Sequence, residues 1–148
     1  MQHLATVESV SARLDTVLTR LSARLRSMPE SKLLGRLPDG RSRAAAGHEL
    51  AGLVALAAQG VEDRARPVPP TWRALPFEGP FVVGDQIGVT GRDLLVACAS
   101  AVDGDPAAEV WAPVRGTGAA GGPRRERVEV RELLRRVLGE AEGLAGVL

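Results

Sequence analysis

The sequence predicts an all-α protein, a four-helix antiparallel bundle with two long connectors. Aromatic residues make up 3% of the 148 residues and Tyr is absent. The core must therefore be built from Leu, Val and Ala, which suits closely packed helices better than a β-sandwich. Apolar residues also recur at every third or fourth position in four separate stretches, the spacing of amphipathic helices. A chain of this length is expected to form one domain over residues 1–148.

The first two predicted helices cover residues 6–27 and 42–64. The first carries an apolar stripe with arginines on the opposite side, and Pro29 should end it because proline disfavours the α conformation of the preceding residue. A tight turn is then predicted before the second helix, at Leu37-Pro38-Asp39-Gly40. The stripe of the second helix consists of Ala46, Leu50, Leu53, Ala57 and Val61.

A proline-rich connector follows the second helix. Its first part, residues 66–70, favours the extended polyproline II conformation. Trp72, Phe77 and Phe81 come next, and they are three of the four aromatic residues in the chain. Two interpretations are open. The rings could plug one end or one groove of the bundle, since large apolar side chains are more often buried, or the connector could be a loop that binds a partner or a ligand.

The third predicted helix covers residues 83–102, with an apolar stripe that includes Val83, Ile87, Leu94 and Cys98. A neighbouring row of Gly84, Gly88 and Gly91 carries no side chains, so another backbone could approach it closely. The alternative is an α+β fold with a short hairpin at 81–90, because the β-favouring runs 81–83 and 87–90 flank a possible two-residue turn. We favour one helix because the stripe residues from Val83 to Ala101 recur every three or four positions.

The fourth predicted helix covers residues 124–144. Residues 109–114 could form a short extended piece before it, and the Gly/Ala-rich residues 115–123 have the composition of a flexible linker. Glu132 and Arg136 stand four residues apart in the helix, where opposite charges attract. Two such long connections would also permit swapped or dimeric arrangements.

The sequence motifs that usually indicate catalysis, nucleotide binding or metal binding are matched poorly in this chain. Residues 116–121 match GxGxxG but lack the βαβ context of a dinucleotide site. The two histidines, His3 and His48, are too few for a three-histidine metal site. Cys98 lies on an apolar stripe, where a buried thiol is inert. We therefore predict no enzyme activity, no catalytic residue, no cofactor and no metal.

Polar residues crowd the glycine-rich third helix. Gln86 and Asp93 share a flank beside the core seam, where His48 or an arginine could serve as a hydrogen-bonding partner. This arrangement is either a structural network between helices or a polar pocket for a small ligand. The candidate ligand or partner contacts are Trp72, Phe77, Phe81, Asp85, Gln86, Arg92, Asp93 and His48.

Charge excludes some classes of partner. The 19 basic and 18 acidic residues nearly cancel, so no global field attracts nucleic acid or an anionic membrane. Local basic clusters at 41–43 and 124–127 are the best argument for nucleic acid, which we expect to be an unlikely partner. The sequence lacks an uninterrupted apolar run of about 18 residues, which favours a cytoplasmic protein without membrane contact. Abundant Ala, Gly and Arg are typical of a high-GC bacterial genome.

These observations lead to three hypotheses on function. The first is a non-enzymatic helical interaction or scaffold protein that binds a protein partner or itself, as a homodimer. The second is a regulator that binds a small molecule in a pocket between the second and third helices, under the 72–81 connector. The third is an accessory protein that binds nucleic acid.

Overall fold

The computed structural model describes residues 6–113 and 126–148, which are mostly helical with one small sheet. The helices in this part of the chain are α1 (Val7–Arg26), α2 (Glu30–Leu33), α3 (Arg43–Glu62), α4 (Val83–Gly104) and α5 (Val130–Ala145). A 3-10 turn, Pro80–Val82, leads into α4. The sheet pairs β1 (Glu109–Trp111) with β2 (Arg127–Glu129).

The helices predicted over 6–27, 42–64 and 83–102 correspond to α1, α3 and α4. Two of them begin at side-chain caps. The Thr6 hydroxyl accepts a hydrogen bond from the Ser9 amide, and the Ser42 hydroxyl accepts one from the Ala45 amide, both at 3.0 Å. Each cap satisfies an amide that has no partner within the first turn of its helix.

The alternative hairpin at 81–90 is wrong. Phe81 and Val82 belong to the 3-10 turn, and an unbroken α-helix starts at Val83. Glycine costs helix stability, but here the missing side chains are needed. A Cβ atom at Gly84 would lie 2.6 Å from Cγ of Arg26, and one at Gly91 would lie 2.9 Å from Leu18 Cδ1. The glycine row therefore brings α4 against α1.

The predicted start of the fourth helix is also wrong. Residues 127–129 form β2, and α5 begins only at Val130. β2 runs antiparallel to β1, with Val110 opposite Val128 and Trp111 opposite Arg127. Tertiary contacts override the local helical pattern, since the Arg127 guanidinium lies 4.6 Å from the Trp111 ring and donates to the Glu109 carbonyl at 2.8 Å. The predicted linker 115–123 lies outside the described residues.

Helix α4 packs against both α1 and α3, but its chain direction relative to the two helices differs. Ser22, near the end of α1, donates its hydroxyl to the Gly84 carbonyl at 2.7 Å at the start of α4, so these two helices are antiparallel. Gly47, near the start of α3, packs on Val83 and Ile87, also at the start of α4. Helices α3 and α4 therefore run in the same direction, and the predicted antiparallel order does not hold for this pair.

The long connector between α3 and α4 explains the parallel pair. It leaves the end of α3 and returns along the same helix. The Gln59 side chain forms two hydrogen bonds with the backbone of Arg73, at 2.9 and 3.0 Å. Further on, the Phe77 ring meets the ring of His48, near the start of α3. This return brings the chain back to the end of the molecule where α3 began, and α4 starts there.

A single apolar core joins all four long helices and β1. Leu14 of α1, Val54 of α3, Leu94 of α4 and Leu134 of α5 are each fully buried. Val110 of β1 is fully buried with them. These helices therefore bury one face each in the same core.

Candidate functional site

Gln86 fastens the returning connector to helices α3 and α4. Its Nε2 donates to the Pro76 carbonyl at 2.9 Å, and its Oε1 lies 3.3 Å from Nδ1 of His48. Since the amide nitrogen is used by Pro76, the oxygen is the acceptor and His48 Nδ1 is the donor. The His48 ring also meets Phe77 edge-on, with centroids 5.2 Å apart. Three predicted site residues thus form one network that holds the connector.

Replacing Gln86 with alanine should loosen this connector. The side chain makes two hydrogen bonds, and each contributes about 1 kcal/mol, so we expect a loss of roughly 1–2 kcal/mol in urea denaturation. Trypsin cleavage after Arg73 should become faster. The exposed Glu78 lies in the same connector, and Glu78→Ala is the control that should leave both measurements unchanged. Equal cleavage rates for Gln86→Ala and the wild type would contradict this role.

The three connector aromatics have different surroundings. Trp72 is half-buried over Gly60, where an added Cβ would lie 3.3 Å from its Cη2. Phe77 and Phe81 are 55% and 61% exposed. The plug interpretation therefore fits Trp72, whereas the two phenylalanines lie largely at the surface.

The space between α3 and α4 is filled rather than hollow near the candidate residues. A Cβ atom at Gly47 would lie 2.7 Å from Val83 Cγ1. A cavity of about 390 Å³ does lie under the connector, but its helical wall comes from α3 alone. The residues that line it include Leu53, Leu56, Leu75, Pro113, His48 and Glu49. Trp72, Phe77 and Phe81 do not line it.

The remaining candidate residues lie on the outer face of α4. Arg92 and Asp93 are both exposed, and neither has an ion-pair partner among the described residues. Val89 and Val96 stand on the same face, 62% and 65% exposed. These four residues, which we name the α4 outer face, are separated by three, one and three positions. They therefore project from the same side of the helix.

An open groove runs beside this face, between α1 and α4. Its volume is about 650 Å³, and Gly88 and Gly91 line it together with Val89, Arg92 and Val96. One end of the groove carries an ion pair between Arg26 and Asp85, whose nitrogen and oxygen are 3.0 Å apart. Both side chains are mostly exposed, so the pair adds little stability. It does neutralise Asp85.

Sequence reasoning missed Val89 and Val96. Both stand out of phase with the buried stripe of Val83, Ile87 and Leu94, on the opposite side of the helix. The sequence does contain a signal for them, namely their position opposite the apolar stripe. A valine on the solvated side of a helix has no role in the core. Two such valines seven residues apart form a row along the helix axis.

The chemistry available in the described part of the chain is limited. Burial raises the pKa of the Cys98 thiol to about 12, which keeps it protonated and unreactive. No group of three or more His, Cys, Asp or Glu side chains in residues 6–113 and 126–148 is placed to hold a metal ion. The helices described here include none with the length and apolar character needed to cross a membrane.

Most of the basic clusters noted in the sequence are engaged. Arg41 pairs with Asp39 at 2.7 Å and with Glu49, and its hydrogen bonds lower the pKa of the Asp39 carboxyl. Arg43 donates to the Lys32 carbonyl, and Arg127 is held by Trp111 and by backbone carbonyls. Residues 124 and 125 lie outside the described residues.

No protein-family model, curated protein or solved structure matches this chain.

Proposed function

We propose that this protein is a non-enzymatic helical interaction module that associates with a second copy of itself in the cytoplasm. In this proposal the four long helices form a bundle that serves as a rigid platform. The observation that carries the proposal is the pair of exposed valines, Val89 and Val96, at the centre of the longest helix. Apolar side chains grouped on a helix face, next to a groove, are typical of interaction surfaces.

The size of the apolar contribution sets the expected affinity. Burying a valine contributes roughly 1.5 kcal/mol, so four valines from two copies give about 6 kcal/mol at most. Association costs at least about 4 kcal/mol in lost freedom of motion. The valines alone therefore support only a weak dimer, and the polar residues around them must contribute. With two exposed ion pairs adding up to about 1 kcal/mol each, we expect a weak, reversible dimer with a dissociation constant on the order of millimolar.

Removing the valine row should abolish the dimer. In the double variant Val89→Ser, Val96→Ser, both side chains become polar while their exposed positions need no repacking. We expect sedimentation equilibrium at about millimolar protein concentration to give an average mass well above the monomer for the wild type and the monomer mass for the variant. Val68 is 50% exposed on the connector, so Val68→Ser is the matched control and should remain dimeric. A wild type that stays monomeric at high concentration would overturn the proposal.

The cavity under the connector supports a second candidate function. Its lining is mainly apolar, with His48 and Glu49 as polar groups, and small-molecule sites commonly combine these features. In this alternative a small ligand binds between α3 and the connector and regulates the module. Native mass spectrometry of protein purified from its host tests it. Retention of a bound small molecule that is lost in Leu53→Trp would favour it.

Nucleic acid remains the least favoured partner. The arginine clusters that would contact phosphates are mostly occupied by carboxylates, carbonyls and an aromatic ring. Neutralised arginines release few counterions and give weak, non-specific binding.

A further inference from the structure

The α4 outer face has opposite charges on its two sides. At 100° per residue, Val89 and Val96 point within about 20° of each other, with Arg92 about 50° to one side of the row and Asp93 about 50° to the other. Arg92 lies on the side of the α1 groove, which it lines. The face is thus an apolar row with a positive flank and a negative flank, both without partners in the described residues.

This arrangement distinguishes between the two ways in which α4 can pack on a second α4. When a two-fold axis runs along the helices, the copies are parallel, and each copy presents its positive flank to the negative flank of the other. Arg92 of each copy then faces Asp93 of the other, on both sides of the valine row. When the axis is perpendicular to the helices, the copies are antiparallel, and Arg92 faces Arg92 while Asp93 faces Asp93. Like charges in such positions are destabilising.

We propose, building on the self-association proposed above, that the protein forms a parallel two-fold dimer through α4. Val89 and Val96 of each copy pack against the same residues of the other, and two Arg92–Asp93 ion pairs flank them. A two-fold interface requires a self-complementary surface, and a positive and a negative flank on either side of an apolar row provide one. The occupant of this face is therefore a second copy of the chain.

The charge at the start of the interface is compatible with the parallel arrangement. Asp85 stands about one helical turn before Val89 on a similar side of α4, and two such carboxylates would approach each other near the end of the interface. Arg26 of the same copy already pairs with each of them. The interface end at Asp85 therefore brings neutral pairs together rather than bare carboxylates. At the other end Asp103, exposed on the same side of α4 and about two turns beyond Val96, would face the same residue of the other copy as an exposed pair of like charges, which costs little in water.

Disulfide trapping distinguishes a parallel from an antiparallel pair of α4 helices. In the parallel dimer, Val89→Cys places the two new thiols opposite each other, within the Cα separation of about 4.4–6.8 Å that a disulfide needs. In an antiparallel dimer the same residues would be offset by about 10 Å along the helix. The native Cys98 is fully buried, so the introduced thiol is the reactive one. We expect Val89→Cys alone to form covalent dimers under mild oxidation.

A mixture of two cysteine variants tests the opposite arrangement. In an antiparallel dimer, Val89→Cys would bond to Val96→Cys of the other copy and neither variant would dimerise covalently by itself. Mass spectrometry of the mixed sample distinguishes the two kinds of bond. Val68→Cys, on the connector, is the control that should give only the slow background of random collisions.

Charge reversal tests the ion pairs. Arg92→Asp places two aspartates opposite each other on both sides, and Asp93→Arg does the same with arginines. Because two attractive pairs become repulsive in each case, we expect the dissociation constant to rise about tenfold for each variant alone. An equal mixture of the two variants should regain dimers, since each mixed pair is complementary. Arg20→Asp, on the solvated side of α1, carries the same charge change and should have no effect.

The outcomes separate the two proposals. A monomeric wild type overturns the self-association and this inference together. A dimeric wild type in which Val89→Cys does not cross-link, or in which Arg92→Asp dimerises as well as the wild type, overturns the parallel α4 dimer alone. Circular dichroism of each variant shows whether the overall helix content is unchanged.

Discussion

Replacing Gly60 with alanine is expected to destabilise the protein by about 3 kcal/mol or more, a cost at the upper end for overpacked cores. Gly60 lies on α3 where β1 crosses it. A Cβ atom there would overlap the carbonyl oxygen of Trp111 and lie 2.9 Å from its carbonyl carbon. The obstacle is backbone, so β1 must move as a unit. Urea denaturation at equilibrium measures the loss.

Gly52→Ala is the matched control in the same helix. No atom lies within 4 Å of the position its Cβ would take, so the substitution brings only the better helix propensity of alanine, about 1 kcal/mol of added stability. The two variants share the same chemical change and are expected to shift the free energy of unfolding in opposite directions. Equal stability of both variants would contradict the close crossing of β1 over α3.

The protein is expected to lose stability steeply in alkaline solution because of Cys98. Burial raises the pKa of this thiol from 9.0 to about 12. Above pH 9 the unfolded chain releases the proton that the folded protein retains, so the unfolded state is favoured as the pH rises. The slope is about 1.4 kcal/mol per pH unit, which amounts to roughly 3 kcal/mol between pH 9 and pH 11. Below pH 9 the thiol is protonated in both states and contributes no slope.

The composition simplifies the assignment of this pH dependence to Cys98. The chain contains one Cys and no Tyr, so no phenol titrates in the same range. Urea denaturation from pH 8 to pH 11 should give a falling free energy of unfolding for the wild type. Cys98→Ala creates a small cavity and lowers the stability at every pH, but its profile should be much flatter. A wild type whose stability is constant up to pH 11 would show that the thiol is accessible to water in the folded state.

The parts of the fold that could be predicted from the sequence are those fixed by local physics. Helices α1 and α3 directly follow Thr6 and Ser42, whose side chains cap them. The glycine row of α4 was predicted to permit close approach, and it does so against α1, where a Cβ at Gly84 would lie 2.8 Å from the Ser22 carbonyl oxygen. Periodicity and the absence of side chains are both visible in sequence.

The features that could not be predicted depend on contacts between distant segments. Arg127 has a helical neighbourhood in sequence, but it pairs with β1 because it stacks on Trp111 and donates to the Arg64 carbonyl at 2.8 Å. The parallel run of α3 and α4 depends on how the connector folds back along α3. A connector of this length reaches either end of a helix, so its length alone does not determine the direction of α4.

The candidate site residues also differ in how far they could be predicted from local sequence and how far they depend on distant contacts. His48, Gln86 and Phe77 were predicted as polar or aromatic contacts near one another, and the structure brings them together around the connector. Arg92 and Asp93 were predicted on α4. The interface that we propose for them depends on Val89 and Val96, whose row runs between the Arg92 and Asp93 side chains on the helix surface. The phase of the apolar stripe sets the two valines apart from the core side of α4, but their exposure also depends on where α1 and α3 pack.

The most direct test of self-association through α4 is nuclear magnetic resonance on a mixture of isotope-labelled and unlabelled copies. Filtered experiments on such a sample record only contacts between methyl groups of different copies. We expect contacts from Val89 to Val89 and from Val96 to Val96 of the second copy. Contacts between copies that instead involve the exposed Phe77 and Phe81, or a complete lack of contacts between copies in a concentrated sample, would contradict self-association through α4.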